Sequence, residues 1–126
     1  MKKKNTELEF PGMERFLLRS LLFYYIGQFD TEIRMLKAEH LDCEKVVAKR
    51  YAAESILLAL GQLHFKIDTF SKKFLAEEIA PLCNPLSERE KNINLLYQTG
   101  IEFILSNIED ETIKSLGNKL TGILNK

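Results

Sequence analysis

The chain has 126 residues, with 18 Lys and Arg balanced by 18 Asp and Glu, so its formal net charge at pH 7 is +0. Balanced charge provides no overall field to attract nucleic acid or an anionic membrane. A composition of 45% hydrophobic and 29% charged residues is typical of a folded domain rather than a disordered chain. A domain of this size buries roughly two-thirds of its unfolded surface, so it needs no disulfide or metal for stability.

The N-terminal residues and the cysteines indicate the compartment. Three lysines after Met1 are followed by polar and acidic residues rather than the apolar stretch of a signal peptide. The longest apolar run, residues 16–26, is interrupted by Arg19 and Ser20 and is too short to span a membrane. Two cysteines are few for a disulfide-stabilised secreted domain, so reduced thiols are expected. We expect a cytoplasmic protein, bacterial or acting in a host cytosol after export, with no membrane partner.

Apolar spacing predicts helices from residue 10 onward, after a flexible tail at residues 1–9. Pro11 suits a helical first turn, and the segment to about Glu39 is either one helix or two with a bend near Gly27 or Asp30. Asp42 is a good N-cap for a second helix. The core positions expected in this second helix share helical spacing: Val46, Val47, Ala53, Ile56, Leu57, Leu60 and Leu63.

Three further helices are predicted in the second half of the chain. One begins near Asp68 or Ser71, carries Phe70, Phe74, Leu75 and Ile79, and is ended by Pro81 and Pro85. Ser87 to Glu90 has the spacing of a capping box, which begins a helix extending to Ile108. A last helix begins near Glu109 or Asp110, with Ile113, Leu116, Leu120, Ile123 and Leu124 forming its apolar stripe. No segment alternates as a strand would, so residues 10–126 are expected to form one all-α domain, an irregular bundle of four to six helices.

The first helix carries two apolar faces. At about 100° per residue, one broad face holds Leu17, Leu18, Leu21, Leu22, Tyr24, Tyr25 and Phe29. Phe16, Phe23 and Ile26 fall on roughly the opposite side, beside Arg19. Leaving either phenylalanine in water forgoes roughly 1.5–3 kcal/mol.

The second face can be covered by helices of the same chain, by a second copy or by a foreign protein, and the sequence leaves these alternatives open. Aromatic residues beside an arginine are typical of interface centres. We therefore predict Phe16, Arg19, Phe23 and Ile26 as the contact surface for a partner protein, with a homodimer also expected.

Motifs for catalysis, cofactors and metals are largely missing from the sequence. Glycines stand apart rather than in phosphate-binding loops, and no nucleophile elbow occurs. His40 and Cys43 are three residues apart, with His64 and Cys83 as more distant candidates for a metal site, but no paired ligand motif supports one. We predict no catalytic residue, no cofactor and no metal.

Arg34 and His40 fit a loose Arg-x(4–6)-His pattern, which resembles the motif of HEPN-domain ribonucleases, small helical dimers. That resemblance implies His40 as acid and base and Arg34 as phosphate binder. Met35 follows the arginine, where the family has a polar residue. A HEPN-like ribonuclease is therefore one alternative function.

Residues 8–19, LEFPGMERFLLR, together with the small helical remainder, resemble the small helical Legionella inhibitors that bind the MavC and MvcA ubiquitin deamidases. The resemblance implies a non-enzymatic regulator that dimerises and blocks substrate access to an enzyme, and it transfers no individual residue. We predict a protein–protein interaction module, an inhibitor or adaptor. The alternatives are the HEPN-like ribonuclease and a secretion chaperone for an effector.

Overall fold

The part of the protein that the structure describes contains five α-helices together with shorter π-helical and 3-10 turns. The structure is a computed structural model and describes residues 10–61, 66–84 and 95–125. The helices are α1 (Gly12–Ala38), α2 (Glu44–Leu60), α3 (Thr69–Phe74), α4 (Leu95–Ser106) and α5 (Asp110–Thr121). The expected all-α bundle is confirmed, and no strand occurs in these three ranges. The expected tail at residues 1–9 and the capping box at Ser87–Glu90 lie outside the described residues.

Helix α1 is continuous over 27 residues, which decides between the one-helix and two-helix predictions. It begins after Pro11, whose backbone is extended, and packs against α2, α4 and α5. Its core face holds Leu17, Leu18, Leu21, Leu22, Tyr25 and Phe29, all buried as predicted. Tyr24, expected on the same face, is only half-buried.

The end of α1 is a Schellman motif centred on His40. The Leu41 amide donates to the carbonyl of Leu36 at 2.8 Å, and the His40 amide donates to that of Lys37 at 3.1 Å. His40 has a φ of 58°, the left-handed conformation that glycine adopts most readily at this position. No pattern in the sequence predicts this conformation, because histidine is an uncommon residue there.

The later helices agree with the prediction where α3 and α5 begin, but α3 ends at Phe74, earlier than the predicted end at the prolines. Asp68 caps α3, and its carboxylate accepts the Ser71 amide at 2.7 Å. The chain then continues through a π-helical turn, Leu75–Ile79, and a 3-10 turn, Ala80–Cys83, before reaching Asn84. Glu109 is the N-cap of α5, as expected.

Several individual assignments were wrong. Helix α2 begins at Glu44 with Cys43 as N-cap, while Asp42 accepts the Glu44 amide from outside the helix. Val47, Phe70 and Leu124, predicted as members of apolar stripes, are exposed because each lies on the outer face of its element after packing. Leu63 lies outside the described residues.

The centre of the core is a cluster of aromatic rings. Tyr25 contacts Phe29 at 5.5 Å and Tyr97 at 5.3 Å between ring centroids, and Phe74 lies 6.4 Å away. The Tyr97 hydroxyl donates to Glu32 at 2.8 Å. Edge-to-face packing of this kind stabilises the junction of α1, α3 and α4.

Candidate functional site

A largely apolar groove of about 500 Å³ lies on the outside of the bundle between α1 and α2. We call it the α1–α2 groove. It is lined by Arg15, Arg19, Phe23 and Ile26 from α1 and by Glu54, Leu57, Leu58, Leu60 and Gly61 from α2 and its C-cap. On α1 the lining residues recur three or four positions apart, which places them along one edge of that helix.

Both helices present apolar side chains to solvent beside the groove. Phe23 is 57% exposed and Leu58 is 71% exposed, whereas Ile26 and Leu57 are half-buried and pack against the core. The floor is therefore continuous with the core, and the rims are unburied. A second apolar segment could cover Phe23 and Leu58 without displacing any element of the bundle.

An ion pair fixes the two helices beyond one end of the groove. The Arg50 guanidinium of α2 bonds the Asp30 carboxylate of α1 and also lies 3.3 Å from Glu54. The hydrogen bond to Asp30 raises the pKa of Arg50. These contacts occupy the carboxylate of Glu54, the one acidic residue among the described lining residues.

The two arginines that line the groove differ from Glu54 in their ion pairing. Within the described ranges, neither Arg15 nor Arg19 has a carboxylate within ion-pair distance of its guanidinium. Both side chains are exposed and lie on the α1 side. The groove therefore combines an apolar floor with a positively charged rim.

All four residues predicted as a contact surface lie on or near this groove. Arg19, Phe23 and Ile26 line it, and Phe16 lies on the neighbouring outer face of α1, 57% exposed. Ile26 differs from the expectation, because it lies at the edge of the core rather than fully on the second face.

The α2 half of the groove was not predicted from the sequence. The signal was present in residues 56–60, an unbroken apolar run that is too wide for a single stripe. Leu58 was left out of the predicted core and is the most exposed residue of that run. Where its side chain lies depends on which faces of α1 and α2 come together, and this follows only from the tertiary packing.

A second opening of about 560 Å³ lies at the other end of α2. Its lining includes the exposed apolar residues Val47, Tyr51 and Phe70 and the half-buried Cys43. Cys43 and Cys83 are both in the thiol form.

The residues considered for chemistry do not form a cluster in the described ranges. No group of three or more His, Cys, Asp and Glu side chains is placed to bind a metal there. Arg34 and His40 are both exposed, and the Arg34 guanidinium donates to Thr31 at 3.5 Å. His64 lies outside the described residues.

Comparison with known proteins adds no identification. No family model matches the chain, and neither a curated protein nor a solved structure matches it. Over the described ranges, no helix has both the length and the hydropathy required to cross a bilayer.

Proposed function

We propose that this protein is a non-enzymatic interaction module that binds a segment of another protein in the α1–α2 groove, as an inhibitor or adaptor. The observation that carries the proposal is the exposure of Phe23 and Leu58 on the two rims of one groove. Single exposed apolar residues are normal on a protein surface, but a contiguous patch around a concavity is characteristic of an interaction site. Covering each of these side chains is worth roughly 1.5–3 kcal/mol.

The charges of the groove define the chemistry of the segment that fits it. A helix that places apolar residues at i, i+3, i+4 and i+7 fits a groove between two helices. Arg15 and Arg19 favour carboxylates on the flank of that segment, because charge complementarity selects the partner and speeds its association. The expected occupant is thus an amphipathic helix with acidic residues along one edge.

Inhibition or recruitment follows from binding alone and needs no reacting group on this chain. If the bound segment belongs to an enzyme, a bundle seated on it hinders access to neighbouring surface. The resemblance to the Legionella inhibitors makes a ubiquitin-directed enzyme the first partner to examine.

The proposal is tested by affinity capture with matched surface variants. Leu58→Asp places a charge on the groove rim, whereas Phe103→Asp does the same on α4, at a residue equally exposed at 71%. Proteins captured by the wild type and by Phe103→Asp, and lost with Leu58→Asp, would be the partners. Both variants should keep the helical circular dichroism of the wild type. An identical set of proteins on all three baits would contradict the proposed function.

A further inference from the structure

The outer face of α1 carries a regularly spaced stripe of large and small side chains, of which only Phe23 also lines the groove. Met13, Phe16, Ser20, Phe23 and Gly27 are spaced by three, four, three and four residues. We call this stripe the outer ridge. Its mean spacing of 3.5 residues is that of a coiled-coil contact face, and it lies opposite the core face of α1.

Gly27 is the most informative member of the outer ridge. A glycine inside a helix costs roughly 0.5–1 kcal/mol relative to alanine. A Cβ built on Gly27 meets no atom within 4 Å, so nothing in the described part of this chain requires a glycine there. The open space above Gly27 is instead suited to a large side chain from outside.

Ser20, the other small residue of the outer ridge, can also be buried by an apolar side chain at little cost. Its hydroxyl donates to the Phe16 carbonyl at 2.9 Å within the same helix. Because the hydroxyl already has a partner, an aromatic ring can pack over it without leaving an unsatisfied polar group.

We propose that the occupant of the outer ridge is a second copy of this chain, with two α1 helices packed antiparallel about a two-fold axis. In an antiparallel pair the two ridge positions of each heptad face each other. Phe16 then packs over Gly27 of the second copy and Phe23 over its Ser20, and the two-fold axis repeats both contacts. Each aromatic ring faces a small residue, so the layers interdigitate and the helix axes approach to about 8 Å.

The exposed area of the outer ridge is large enough for a weak dimer. With roughly 200 Å² for a fully exposed large side chain, the exposed parts of Met13, Phe16 and Phe23 from two copies supply about 650 Å². The exposed Arg19 beside the ridge and the backbone bared at Ser20 and Gly27 add to this area, which approaches the roughly 1,000 Å² that a specific interface requires. We therefore expect a dissociation constant on the order of 10 µM. The dimer covers Phe23, so self-association and binding in the α1–α2 groove compete for that residue.

The deciding experiment is sedimentation velocity of the full chain from about 2 to 200 µM, comparing the wild type with Gly27→Gln. A glutamine at this position would fill the space above the helix backbone while improving helix propensity. We expect at least tenfold weaker dimerisation together with a melting temperature, measured at low concentration, no lower than that of the wild type. Lys37→Gln, on the exposed last turn of the same helix, should dimerise like the wild type. A wild type that stays monomeric, or a Gly27→Gln variant that dimerises equally, would overturn the proposal.

The antiparallel register has its own test. Phe16→Cys and Gly27→Cys chains, each with Cys43 and Cys83 replaced by serine, are oxidised separately and as a mixture. A 16–27 pair lies at one level of the dimer, whereas 16–16 and 27–27 pairs are offset by about 16 Å along the helix axis, far beyond disulfide reach. A covalent heterodimer formed mainly in the mixture supports the register, and equal cross-linking of either chain alone overturns it. Leu58→Asp should leave the dimer intact, so failure of the proposed function and failure of the dimer are distinguishable.

Discussion

Lys119 of α5 lies with its ammonium nitrogen 2.7 Å from Oε1 of Glu14, a residue of the first turn of α1 that is largely buried. The other carboxylate oxygen accepts the Ser115 hydroxyl at 2.7 Å, and the Lys119 nitrogen also lies 5.7 Å from the centroid of the Phe10 ring. Two contacts therefore tie the first turn of α1 to α5, and a third ties Phe10, just before α1, to the same helix. Because Glu14 is shielded from water, its carboxylate needs these partners.

Removal of the lysine should destabilise the fold. We expect Lys119→Met to lower the free energy of unfolding by about 2 kcal/mol, less than a fully buried pair because Lys119 is one-third exposed. Lys114→Met, an exposed position on the same helix, should change it by less than about 0.5 kcal/mol. Urea unfolding of both variants makes the comparison. A double variant, Glu14→Leu with Lys119→Met, that is less stable than Lys119→Met alone would contradict this role.

Two helical glycines should respond in opposite ways to alanine. A Cβ on Gly117 would lie 2.7 Å from Cβ of Cys83, and that atom cannot move without its backbone. We expect Gly117→Ala to destabilise by about 1–3 kcal/mol through overpacking. Gly27→Ala, with open space around the Cβ, should instead stabilise the monomer by about 0.5–1 kcal/mol. Thermal unfolding at low concentration tests both. A Gly117→Ala variant as stable as the wild type would contradict the packing described at Gly117, and a destabilised Gly27→Ala variant would contradict the open space at Gly27.

Replacing His40 with glycine should stabilise the fold, whereas replacing it with alanine should not. Its left-handed backbone strains any residue with a Cβ, by roughly 1 kcal/mol. We expect His40→Gly to be about 1 kcal/mol more stable than His40→Ala, measured by chemical unfolding. Equal stabilities would show that position 40 does not hold this conformation in solution.

Much of the fold could be predicted from the sequence because helical spacing and caps are local signals. The core face of α1, the start of α3 near Asp68 and the start of α5 near Asp110 were predicted correctly. Burial of Glu14 could not be predicted, since its partners lie about 100 residues further along the chain. The same holds for the candidate site: Phe23 and Arg19 were visible as a second face of α1, whereas Leu58 joins them only because α2 packs beside that face.

Alkaline pH should destabilise the domain through its core tyrosines. The pKa of Tyr25 is raised mainly by burial and further by the negative charge of Glu78. The pKa of Tyr97 is likewise raised mainly by burial and further by its hydrogen bond to Glu32. Both hydroxyls therefore keep their protons in the folded state at pH values where the unfolded chain loses them. The resulting stability is fully present below about pH 10 and falls above it by about 1.4 kcal/mol per pH unit for each tyrosine.

Urea unfolding at pH 8 to 11 measures this loss. Tyr97→Phe removes one titrating group and should reduce the slope above pH 10 by about 1.4 kcal/mol per unit. An unchanged slope in this variant would contradict the assignment to Tyr97.

The binding surface is tested most directly by photocross-linking in native cells from a benzophenone amino acid placed at position 58, with the same residue at position 103 as control. The proposed function predicts a covalent adduct to a second protein from position 58, reduced by the additional change Arg19→Glu, and no such adduct from position 103. Adducts that are absent from position 58, or identical from both positions, would contradict it.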